Sequence, residues 1–187
     1  LGETEIAGRT ITYEYSTSGA LATMKDSVTG IITKHYYDNI GRNTGTYETD
    51  ENNTISHSFK YSYDELGRLI KSTEICGGIG YTTEYRYNGN NQVKEILAGD
   101  SREKYIYDEY GRIKEWYTYR GTSSSDLIAK SIIYKAPQNG YTSSLPEQWS
   151  YLAGSDFDAT YSYSYDVNGN IVSETLDGMT TTYVYDS

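Results

Sequence analysis

Five aspartates recur at one kind of place in this chain: Asp38, Asp64, Asp108, Asp166 and Asp186. Three of them stand four residues before an arginine, as Asp38–Arg42, Asp64–Arg68 and Asp108–Arg112. Spaced carboxylates could bind calcium or serve as acid and base. Calcium loops need alternating oxygen ligands, and Asp-x-x-Gly does not supply them. The carboxylate instead suits a turn, where it accepts a backbone N–H two residues on. The arginines are expected to pair with acidic residues of the adjacent hairpin. His35 and His57 lie 22 residues apart and Cys76 is alone, so no zinc-type spacing exists. No Ser-centred nucleophile motif, phosphate-binding glycine loop or zinc-protease helix is present. No catalytic residue, metal ligand or cofactor is assigned, and an enzyme is not expected.

The elements that position these aspartates are written as a repeat. Tyr61-Ser-Tyr63-Asp64-Glu-Leu-Gly67-Arg68, Tyr105-Ile-Tyr107-Asp108-Glu-Tyr-Gly111-Arg112 and Tyr163-Ser-Tyr165-Asp166-Val-Asn-Gly169-Asn170 are its clearest copies. Weaker copies centre on Tyr15, Tyr37, Tyr87, Tyr134 and Tyr185, and successive second tyrosines stand 20–31 residues apart. Repetition at this period marks an array of supersecondary units. Tyr-x-Tyr alternation places both rings on one face of a strand. The glycine four residues after the second tyrosine supplies positive φ at the end of a hairpin loop. At Asn88 and Asn91, asparagine replaces the Asp and the Gly, and it suits both roles. Leu69, Val93, Ile113 and Ile171 then join the tyrosine face.

The expected fold is all-β: tandem antiparallel β-hairpins forming a long curled sheet, a spiral or a partial barrel. Residues 1–187 read as one array, with 120–158 as an irregular, elaborated repeat. The chain opens on Leu1 and closes on Asp186-Ser187 just after a motif Asp, so it reads as a fragment of a larger protein. Tyrosine supplies 23 residues, against two Phe and two Trp. Its hydroxyls need water or a hydrogen-bonded ladder. The net charge of −10 disfavours nucleic acid, and no apolar run is long enough to span a membrane.

The repeated Tyr-Asp-x-x-Gly-Arg resembles the YD repeat of Rhs proteins, wall-associated YD-repeat proteins, Tc toxin B/C components and teneurins. That resemblance implies a β-hairpin strip forming a hollow shell, which encloses a C-terminal toxin domain or displays a surface. It implies a secreted or cell-surface bacterial protein whose partners are neighbouring repeats of the full-length chain and an enclosed toxin. Self-cleaving members carry paired Asp-Pro motifs; here both prolines follow Ala136 and Leu145, so no cleavage residue carries over. Two alternatives are a carbohydrate-binding repeat, with Trp116 and Tyr117 as the sugar-stacking pair on a surface glycan, and a protein–protein adhesion module.

Overall fold

A computed structural model of the chain describes residues 2–6, 8–121, 128–137, 142–153 and 157–186. Sixteen strands follow one another in a single antiparallel sheet whose spatial order is the chain order. The first eight are β1 Gly2–Ile6, β2 Arg9–Tyr15, β3 Leu21–Asp26, β4 Ile32–Tyr37, β5 Asn43–Thr49, β6 Ile55–Tyr63, β7 Leu69–Cys76 and β8 Ile79–Tyr87. The rest are β9 Val93–Ala98, β10 Ser101–Tyr107, β11 Ile113–Arg120, β12 Ile128–Tyr134, β13 Pro146–Ala153, β14 Phe157–Tyr165, β15 Ile171–Leu176 and β16 Met179–Thr182. Among the described residues the strand order is linear from β1 to β16. Two compact units divide the chain, Leu1–Tyr85 and Arg86–Ser187.

The Tyr-x-Tyr segments ending at Tyr15, Tyr63, Tyr87, Tyr107 and Tyr165 each end a strand, and Asp64, Asp108 and Asp166 open the loops that follow three of them. One feature repeats at six strand ends. The ladder skips one residue between the two tyrosine-strand positions before the loop: Glu14/Tyr15, Tyr36/Tyr37, Ser62/Tyr63, Ile106/Tyr107, Ile133/Tyr134 and Ser164/Tyr165. The extra residue belongs to the returning strand, as in a β-bulge. Its effect is to set Tyr63 opposite Leu69, Tyr107 opposite Ile113 and Tyr165 opposite Ile171. The expected tyrosine–aliphatic face therefore forms, through a bulge that simple alternation does not contain.

The opposite loops are tighter and more varied. Gly77-Gly78 and Asp177-Gly178 are two-residue connections with both residues at positive φ, the hairpin geometry that matches strand twist.

Burial is shallow. Among the described residues only Ile132, 9% exposed, and Ala159, 4% exposed, are buried hydrophobics. The motif rings Tyr61, Tyr63, Tyr105, Tyr107, Tyr163 and Tyr165 are half-buried. Rings two residues apart lie nearly parallel along a strand, as Phe59 and Tyr61 do at 6.3 Å and Tyr161 and Tyr163 at 6.5 Å. Their hydroxyl tips thus remain within reach of polar partners.

In the irregular stretch, β12 and β13 pair in register. Residues 122–127, 138–141 and 154–156 of this stretch lie outside the described residues, and with them most of the Gly-Thr-Ser-Ser-Ser run.

Candidate functional site

Asp38, Asp64, Asp108 and Asp166 build one clamp, repeated along the sheet. At Asp108 the backbone closes first: Asp108 N–H donates to the Arg112 carbonyl at 2.9 Å, and Gly111 N–H donates to the Asp108 carbonyl at 3.1 Å. One carboxylate oxygen, Oδ1, then accepts the N–H groups of Tyr110 and Arg112, both at 2.9 Å. The other, Oδ2, accepts the Arg112 guanidinium at 2.7 Å from Nε. Gly111 sits at φ +79°, the left-handed conformation that an L side chain resists.

The same set recurs at the other copies. Asp64 holds the N–H of Leu66 and Arg68 and the Arg68 side chain, and Asp38 does so with Ile40 and Arg42. Asp166 holds Asn168 and Asn170, with the Asn170 amide in the arginine's place. Asn88 takes the N–H of Asn90 and Gln92, and its amide nitrogen donates to Gln92 Oε1 at 3.0 Å. Asn91, at φ +63°, occupies the glycine position.

These clamps fix the protonation of their carboxylates. At Asp108 burial alone would raise the pKa. The Arg112 N–H, the Arg112 side chain and the Tyr110 N–H outweigh it, holding the carboxyl below its usual value. Asp38 and Asp64 are lowered by the same balance, and Asp166 chiefly by the Asn170 side chain and N–H. The carboxylates of Asp38, Asp64, Asp108 and Asp166 are therefore ionised at neutral pH, and their oxygens accept hydrogen bonds within the turn.

The arginines correct the sequence expectation. Each pairs with the Asp of its own turn, four residues earlier, rather than with an acid of the adjacent hairpin. Arg42 and Arg112 also reach the next repeat by other chemistry. The Arg42 guanidinium lies 4.7 Å from the centre of the Tyr63 ring. That of Arg112 lies 4.1 Å from the Tyr134 ring and donates to the Ser143 carbonyl. Gln92, in the equivalent position, donates to the Gly111 carbonyl at 2.8 Å. A short turn-locking contact and a repeat-to-repeat contact thus share one side chain.

The second tyrosine of each motif makes a matching link backwards. Its hydroxyl donates to a carbonyl of the preceding hairpin: Tyr37 to Leu21, Tyr63 to Asn43, Tyr107 to Val93, Tyr134 to Ile113, Tyr165 to Pro146 and Tyr185 to Ile171. These distances run from 2.6 Å at Tyr107 to 2.9 Å at Tyr134. The acceptor is usually the first residue after the preceding clamp. This is the hydrogen-bonded ladder that a tyrosine-rich sheet requires. Burial pushes the Tyr107, Tyr134 and Tyr165 hydroxyls up. The first tyrosine differs: Tyr105 donates to Glu103, and burial followed by that carboxylate pushes it up to about 12.

Two aspartates escaped the motif. Asp50 builds a full clamp without a tyrosine. Its Oδ1 accepts the N–H of Asn52 and Thr54, its own N–H bonds the Thr54 carbonyl, and Asn53 takes φ +60°. The signal was present as Asp-x-x-Asn. Asp26 is buried in its turn, bound by Val28 N–H, Thr29 Oγ1 and the Arg9 guanidinium, which leads in holding its carboxyl far below the usual range.

Trp116 and Tyr117 do not make one sugar platform. They are consecutive in β11, so their rings project to opposite faces. The face of Trp116 is covered by Lys130 Nζ, 4.0 Å from the ring centre, and Trp149 meets it edge-on.

No protein-family model matches the chain, and no curated protein matches it. Solved structures do. The Tc holotoxin pore of Photorhabdus luminescens is similar at 16% identity over 92% of this chain and 9% of that chain, with a TM-score of 0.37. A TcdB2–TccC3 structure is similar at 11% identity over 90% of this chain and 12% of that chain, with a TM-score of 0.39. A porin-like protein from Bacteroides uniformis is similar at 16% identity over 94% of this chain and 87% of that chain, with a TM-score of 0.40. The chain thus spans roughly a tenth of the length of the two Tc chains.

Proposed function

We propose that this chain is a structural wall segment of a secreted or surface bacterial protein, in which hairpin repeats enclose a C-terminal toxin domain or display a surface. The observation that supports this reading is the use of the motif itself. Its Asp, Gly and Arg lock a turn and its second Tyr ties that turn to the previous hairpin. Every chemically suggestive residue of the repeat is thereby committed to joining neighbours, which is what a wall material requires.

Protease protection of the native polypeptide that carries this repeat tests the reading. The polypeptide following the repeat should resist trypsin while the wall is intact. It should become cleavable when Gly67→Val and Gly111→Val open two turns. Equal cleavage before and after would refute enclosure.

A further inference from the structure

The strand lysines of the unit Leu1–Tyr85 share one face of the sheet. Lys25, Lys34, Lys60 and Lys71 stand on the face opposite the motif tyrosines, a face that also carries Tyr36 and Tyr47. Their cross-strand partners there are Thr12, Tyr47, Gly45 and Glu84. On the tyrosine face the strand arginine is Arg9, which is committed to Asp26. That face instead presents Glu48 and Glu74, 41% and 44% exposed, on either side of His57.

The unit Arg86–Ser187 supplies a contrasting arrangement. In the row Trp116–Lys130–Tyr151, set by successive cross-strand pairs, the ammonium of Lys130 lies 4.0 Å from one ring centre and 5.5 Å from the other. In the first unit the corresponding arrangement is Phe59–Glu74–Tyr81, again three directly opposed residues on neighbouring strands. Its middle residue is a carboxylate. Its outer ring, Tyr81, is 60% exposed. One row holds its own cation between two rings; in the other no lysine stands between the rings, and the acid meets His57 Nε2 at 2.8 Å with one of its two oxygens.

We propose that the Phe59–Glu74–Tyr81 row, with Glu48 beside it, is a docking surface for a basic, extended polypeptide. One lysine or arginine of the partner pairs with Glu74 against the Tyr81 ring, and a second pairs with Glu48. Ring faces attract cations, and the flanking carboxylate strengthens the site. Glu48 and Glu74 lie on β5 and β7, two strand spacings apart, or about 10 Å. Two basic side chains that alternate along an extended peptide can reach both, whereas a lone ammonium meets only one. A second copy of this chain is the poorer occupant, because a net charge of −10 on each copy opposes their approach.

The test titrates a synthetic heptapeptide of alternating lysine and threonine into the 187-residue chain by calorimetry, at low and at physiological salt. Binding should weaken with salt. Glu74→Lys, which turns the row into a likeness of Trp116–Lys130–Tyr151, should weaken it by about tenfold or more. Tyr81→Ala, at an exposed ring that the fold does not need, should weaken it by about threefold. Circular dichroism confirms that both variants fold. The proposal is overturned if the parent chain does not bind the peptide, if Glu74→Lys binds as tightly as the parent, or if an alternating glutamate–threonine peptide binds equally well. Sedimentation that reveals a dimer lost in Glu74→Lys would likewise overturn it in favour of a second copy.

Discussion

Two clamps of the unit Arg86–Ser187 do the same work with different chemistry. At Asp108–Arg112 a carboxylate meets a guanidinium at 2.7 Å. At Asn88–Gln92 two neutral amides meet at 3.0 Å. The backbone does not register the change. Each capping side chain accepts the N–H groups two and four residues on, at 2.9–3.0 Å. Each fourth residue reaches onward, Gln92 to the Gly111 carbonyl and Arg112 to the Ser143 carbonyl and the Tyr134 ring. The clamp is therefore a geometry set by one acceptor oxygen and one left-handed residue. Charge adds to it without defining it.

That comparison breaks hardest at the left-handed residue. Gly111→Val forces a β-branched side chain into φ +79°, with its Cβ 3.0 Å from Gln92 Nε2. The expected loss is about 2–3 kcal/mol in denaturant unfolding. Gly111→Asn should lose much less, because Asn91 already holds this place in the neighbouring clamp. Equal losses would show that contact with Gln92, rather than backbone strain, governs the position.

The acceptor oxygen comes next. Asp108→Ala leaves the Tyr110 and Arg112 N–H groups without their side-chain acceptor and should cost about 1–2 kcal/mol. Asp108→Asn keeps the acceptor and reproduces the Asn88 chemistry, so its midpoint should stay close to the parent's at neutral pH. If Asn is as damaging as Ala, the ion pair defines the clamp and the comparison fails.

The smallest expected effect separates charge from geometry by pH. The Asp108 carboxyl is lowered in the folded state, so the unfolded chain takes up the proton first as pH falls. Its contribution is complete above the ordinary Asp value of about 4 and is lost as pH drops through the folded value. Melting followed from pH 6 to pH 2 should fall less steeply for Asp108→Asn than for the parent. The Asn88 clamp has no group that titrates there. Parallel curves would show that the clamp's charge contributes nothing to stability.

Much of this was legible because it is local. Asp64, Gly67 and the Tyr61–Tyr63 alternation act within one turn and one strand, and the structure places them as their spacing predicts. Asn88 and Asn91 were readable as substitutes for the same reason. Asp50-Glu-Asn-Asn-Thr54 was readable as a turn, and the structure shows that its Asp-x-x-Asn spacing holds the same Oδ1 bonds without a preceding tyrosine.

The sequence by itself determined where the motif turns fall, which residue in each motif turn is left-handed, and that paired tyrosines share a face. Those depend on bonds spanning four residues or fewer. Only the tertiary structure decided the bulge before each second tyrosine, the carbonyl that each tyrosine hydroxyl finds, and the ring that Arg42 or Arg112 covers. It also separated Trp116 from Tyr117 and set Lys130 over the former. Each of these depends on which strand lies alongside and in what register, and a one-residue slip in that register exchanges one face for the other.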